Sequence, residues 1–167
     1  TTYTKEKFVS DVNDIFSRNG IAFKLNDNGE IQRILDEELN NLIVSTTEPI
    51  EGILAGLLRE ATTKIKSFKI EERKIALERL WDAFERLKTI INSDKKDSAN
   101  QLIEKVAKNN EEFKKILDTE CENLSKVGNE FQIRHFETDK FPIDDSTHLD
   151  YLFFRMYALI RLLLTER

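Results

Sequence analysis

A length of 167 residues fits one domain with a core of its own, and five Gly with two Pro leave too few turns for an all-β design. The net charge of −5 excludes a surface devoted to non-specific duplex binding, which works by displacing counterions with positive charge. The single cysteine, Cys121, excludes an internal disulfide and a cysteine-based zinc site, and a reducing cytoplasm is its natural setting.

In chain order, Thr4 is placed to cap a first helix whose stripe is Phe8, Val9, Val12, Ile15 and Phe16, stopped by Asn19-Gly20. Ile21, Phe23 and Leu25 then alternate with Ala22 and Lys24 up to an Asn-Gly turn, which predicts a small β-hairpin over residues 21–34. A lone hairpin is unstable in water, so it should lie against helices. Short helices are expected over Asp36–Val44 and, after Pro49, over Ile50–Ile65. Gly52 and Gly56 share a face of the latter and would permit a close helix approach.

The chain is organised around Glu71–Ile91. Leu77, Leu80, Trp81, Phe84, Leu87 and Ile91 recur at steps of three and four, the stripe of a helix that buries one face. Asp82 and Glu85 lie on its polar face. From Lys64 to Lys96 ten Lys/Arg stand against six Asp/Glu, a local basic excess of the kind a solvated face also carries. A polar loop is expected over Asn92–Ser98, then helices over Ala99–Lys108 and Glu112–Leu124, with Gly128 closing the second. Residues 129–147 make the longest irregular stretch, and its Phe131, Ile133, Phe136, Phe141 and Ile143 should anchor it. The last helix, His148–Leu164, is apolar almost all round, so it is either the buried centre of a bundle or a dimer face.

These elements predict one mainly α domain over residues 1–167, a bundle of six or seven helices with one hairpin, in which Glu71–Ile91 and His148–Leu164 pack antiparallel at the centre. The first residue is Thr and the only Met is Met156, so the chain is expected to be part of a longer product. No segment is apolar and long enough to span a membrane or to serve as a signal peptide. Cys121 is expected to be a buried structural thiol.

Of the two histidines, His148 opens a helix, while His135 follows Arg134 and precedes Glu137 in the late segment. Arg binds phosphate oxygens through a planar fork, and His exchanges protons near neutral pH, so Arg134 and His135 are the candidate catalytic pair for phosphodiester chemistry. The alternative is that Arg134 pairs with Glu85 or Asp82 and simply pins the segment to the central helix. No Gly-rich phosphate loop, metal-spaced Cys/His set or nucleophile elbow is present, and neither a cofactor nor a metal is expected.

The hairpin sequence IAFKLNDNGEIQRI, the helix ending LERLWDAFERLKT, and GNEFQIRHFET before the final helix together resemble the HEPN superfamily, particularly its bacterial abortive-infection members. The likeness covers most of the chain. It implies a helical bundle, often dimeric, acting in phage defence or as a toxin–antitoxin component, in many members as a metal-independent ribonuclease. The family motif is an Arg, a polar residue, and a His a few positions beyond the Arg. Arg134 and His135 match its first half, whereas Asp139 and Lys140 stand where the distal His belongs. The resemblance therefore implies either that His135 does the proton work, with Glu137 and Asp82 or Glu85 orienting the pair, or that the fold is kept for binding RNA, a second copy or a cognate protein.

Overall fold

The computed structural model describes residues 4–35, 41, 52–133 and 140–165. Among them are six helices, α1 (Lys5–Arg18), α2 (Gly52–Lys64), α3 (Ile70–Leu87), α4 (Lys95–Ala107), α5 (Glu111–Glu130) and α6 (Ser146–Leu164), and the hairpin strands β1 (Phe23–Leu25) and β2 (Ile31–Arg33). This is the mainly helical bundle with one small hairpin that the sequence predicts. The helix expected over Asp36–Val44 lies, apart from Asn41, outside the described residues. No helix among them is long and apolar enough to cross a membrane.

The core is built on α3 and α6. Leu77, Leu80, Trp81, Phe84 and Leu87 of α3 meet Phe153, Met156, Tyr157, Ile160 and Leu163 of α6, all buried. Full burial of each large apolar side chain is worth about 1.5–3 kcal/mol, so this seam contributes a large share of the stability, beside Leu54, Leu58, Ala61 and Ile65, which bring α2 and its end into the same core. Phe153 and Tyr157 stack at 5.9 Å, and Trp81 donates its indole N–H to the Leu124 carbonyl at 3.2 Å, tying α5 to the seam. The antiparallel arrangement expected for α3 and α6 is not formed: their first turns meet, with Arg73 of α3 3.1 Å from Asp150 of α6.

Caps fix where the helices begin. Thr4 accepts from the Lys7 N–H, as its sequence position suggests. Asp94 accepts from the Lys96 and Asp97 N–H groups, so α4 starts inside the stretch expected to be loop. Buried Ser98 accepts from the Ile91 N–H and joins the end of α3 to the first turn of α4. The turn after α4 puts Lys108 and Asn109 at φ 50° and 65°, and Asn110 caps α5. Gly128 lies within α5 rather than closing it. Its reason is packing, since Trp81 lies directly against its backbone. At Gly52 and Gly56, by contrast, the described residues make no such close approach.

The hairpin pairs Phe23 with Arg33, Lys24 with Gln32 and Leu25 with Ile31. Its outer edge is closed from α1, where the Asn13 amide donates to the Leu25 carbonyl at 2.9 Å and accepts the Leu25 N–H at 2.7 Å. Gly29, at φ 84°, takes the left-handed position of the turn. The hairpin rests on the bundle through β2, as the instability of an isolated hairpin requires: the Arg33 N–H donates to the Lys66 carbonyl, and Phe23 meets Phe68 edge to face.

Candidate functional site

Arg134, His135 and Glu137 lie in 134–139, outside the described residues. What the structure does describe is the stem of that segment and the surface beside it. The Gln132 N–H donates to the Phe141 carbonyl at 2.9 Å and the Phe141 N–H to the Glu130 carbonyl at 3.1 Å, so the chain entering the segment is bonded to the chain leaving it. The Phe131 and Phe141 rings meet at 6.0 Å, and Ile133 and Ile143 are buried. The anchoring expected of these apolar residues is therefore formed, and Phe136 lies outside the described residues.

Beside this stem is a pocket of about 240 Å³ with Ile75, Leu77, Ile133, Pro142 and Ile143 forming its apolar lining and Glu71, Lys74, Glu78 and Gln132 its polar one. Lys74 donates to Asp144 at 2.9 Å and lies 3.6 Å from Glu71. The hydrogen bond to Asp144 is the main reason its ammonium is held above the usual lysine range. Two carboxylates thus answer Lys74, and the third acid here, Glu78, is met by Arg79 at 3.4 Å. An anion beside this pocket would need positive charge from the segment itself, and Arg134 is the residue able to supply it.

The supporting acids named from the sequence are engaged with cations of the helices. Asp82 accepts from Arg79 at 3.1 Å, and Arg79 also donates to Glu60 of α2 at 3.1 Å. Glu85 pairs with Lys88 and accepts from Lys95 at 3.1 Å. Burial pushes the Glu85 carboxyl up, but the hydrogen bonds and charges of Lys88 and Lys95 outweigh it and hold the group below the usual range. It is a settled carboxylate, not an acid poised near neutrality. Glu78, one turn before Asp82, lines the stem pocket together with Glu71, and its i, i+4 spacing from Asp82 is the sequence signal that could have found it.

His148 is exposed in the first turn of α6, where its N–H donates to Asp145 at 3.2 Å. Cys121 is half-buried, and burial pushes its thiol up to about 11, so it is protonated and a poor nucleophile at neutral pH. It opens on a groove of about 630 Å³ carrying Lys88, Lys95, Lys96, Lys114 and Lys126 with Asp118 and Glu122. Glu85 answers Lys88 and Lys95, and Glu104 answers Lys114 at 3.0 Å. Five ammonium groups face four carboxylates, so this groove, which holds only Lys88, Lys95 and Lys96 of the basic excess seen in the sequence, is nearly balanced. Among the described residues no cluster of three or more His, Cys, Asp or Glu side chains is arranged to hold a metal ion.

Compared with protein-family models, curated proteins and solved structures, the chain matches none.

Proposed function

We propose that this chain is a HEPN-like domain of bacterial phage defence or toxin–antitoxin type, acting on RNA in the cytoplasm through the segment between α5 and α6. Arg134 holds a phosphate of the RNA. His135 moves the proton, as base toward the attacking 2′-hydroxyl or as acid toward the leaving oxygen, and Glu137 orients the pair. No metal is required in this scheme, because the guanidinium offsets the phosphate charge. A homodimer or a cognate protein partner would set two such segments side by side.

The observation that carries the reading is the built stem. A segment holding the only adjacent Arg-His pair leaves from buried Ile133 and returns at Phe141 beside a pocket with a charged rim. That rim is net acidic, so affinity for RNA must rest on Arg134. Arg134→Ala should lower RNA affinity at least about tenfold, the scale of losing one charge-assisted bidentate contact. Fluorescence anisotropy with a labelled single-stranded RNA in EDTA measures this, and equal affinity of the two proteins would contradict it.

A second reading, a non-catalytic interaction domain, is favoured by a different observation. Ile15 of α1 is 56% exposed and Ile34, after β2, is 55% exposed, and α1 buries no residue. Apolar side chains left in water on one module are typical of surfaces that bind another protein. Retention of RNA-independent self-association by the Arg134→Ala variant would fit either reading, so RNA affinity is the measurement that separates them.

A further inference from the structure

The guanidinium of Arg33, on β2, donates to Asp150 at 2.6 and 3.2 Å and to the Ile65 carbonyl at 2.9 Å. Arg73 of α3 donates to the same carboxylate at 3.1 and 3.3 Å. The three side chains are 16%, 28% and 6% exposed for Arg33, Asp150 and Arg73. One carboxylate can neutralise only one guanidinium, so among the described residues this poorly hydrated cluster keeps a positive charge in excess. The Nε–H groups of Arg33 and Arg73 are both buried without an acceptor.

We propose that residues 5–33 form a strap that opens from the bundle as a unit, with Arg33 as its latch and the Arg73–Asp150 pair as the part that stays closed. Docking Arg33 adds two hydrogen bonds to Asp150 and one to Ile65, but it crowds Arg73 with a like charge and strips water from an Nε–H that gains no partner. Releasing Arg33 leaves Asp150 and Arg73 as a balanced one-to-one pair, so α6 keeps its tie to α3 while the strap is away. The strap is suited to independent opening. α1 buries no residue and is fixed to β1 by Asn13, while the described contacts to the bundle run through the hairpin: the Arg33 backbone, the Gln32–Ser67 bridge and the Phe23–Phe68 ring contact.

Amide hydrogen exchange on the full chain tests this. In the wild type, amides of residues 5–33 should exchange at least about tenfold faster than those of α3 and α6. Arg33→Met, which keeps an apolar stem without charge or donors, should accelerate residues 5–33 by about a further tenfold and leave α3 and α6 unchanged. Arg73→Met should instead accelerate α3 and α6. The proposal is overturned if wild-type residues 5–33 are as protected as α3, if Arg33→Met accelerates the whole chain equally, or if it changes nothing.

Discussion

At Gly128 a missing side chain lets α5 lie against the indole of Trp81. A Cβ there would fall 2.6 Å from Trp81 Cδ1 and closer still to Nε1, in a part of the core where the ring is 2% exposed and cannot retreat. Gly128→Ala should therefore cost about 2–3 kcal/mol, combining overpacking with loss of the Trp81–Leu124 hydrogen bond, although alanine has the better helix propensity. Urea unfolding measures it, and a stabilised variant would show that α5 shifts freely. Cys121 makes a second residue-scale prediction. Its thiol, raised from 9.0 to about 11 chiefly by burial, carries about a hundredfold less thiolate at pH 8 than an unperturbed one. Iodoacetamide should modify it slowly in the folded protein and readily in urea, and fast labelling of the folded form would contradict the packing given for it. Glu85 gives the pH dependence. Its folded pKa lies below the ordinary value of 4.5, so its stabilisation is present above that value and lost as the pH falls through the folded pKa. Glu85→Gln should cost about 0.5–1 kcal/mol at pH 7, a figure kept small because Lys95 is 60% exposed, and that cost should vanish once the pH has fallen through the folded pKa of Glu85.

At the scale of elements, what could be read from the sequence followed from periodicity and caps. The stripe of α3 and the all-round apolar α6 are hydrophobic patterns that only a core position satisfies, and both are central. Thr4, Asn19-Gly20 and the Asn-Gly turn act locally, so their consequences need no tertiary knowledge. The start of α4 was hidden because Asp94 is followed by two lysines and an aspartate, a composition shared by loops and by capped first turns. The direction of α6 against α3 was not legible, since an apolar stripe packs equally well either way. It shows in the pairs Arg73–Asp150 and Lys74–Asp144, residues 77 and 70 apart in the chain. Likewise Glu78 at the stem pocket and the partners of Asp82 and Glu85 depend on which helix face meets which neighbour. Residue identity announced Arg134 and His135 as chemically able, but not the acidic rim beside their stem.

For the whole molecule, charge and function meet in one question. The chain is acidic overall and the lysine groove is nearly balanced, so broad electrostatic attraction of RNA is weak, and the proposed function requires a specific site for it. Under the proposal that role falls to Arg134 and His135, in the segment whose stem, through buried Ile133 and Ile143, is tied to the core. The most direct measurement is incubation of the wild-type chain and the Arg134→Ala/His135→Ala double variant with total RNA and tRNA in EDTA, with circular dichroism on both. The account predicts cleavage by the wild type alone, with equal helicity in the two proteins. Intact RNA with both proteins, or equal cleavage by both, would contradict it.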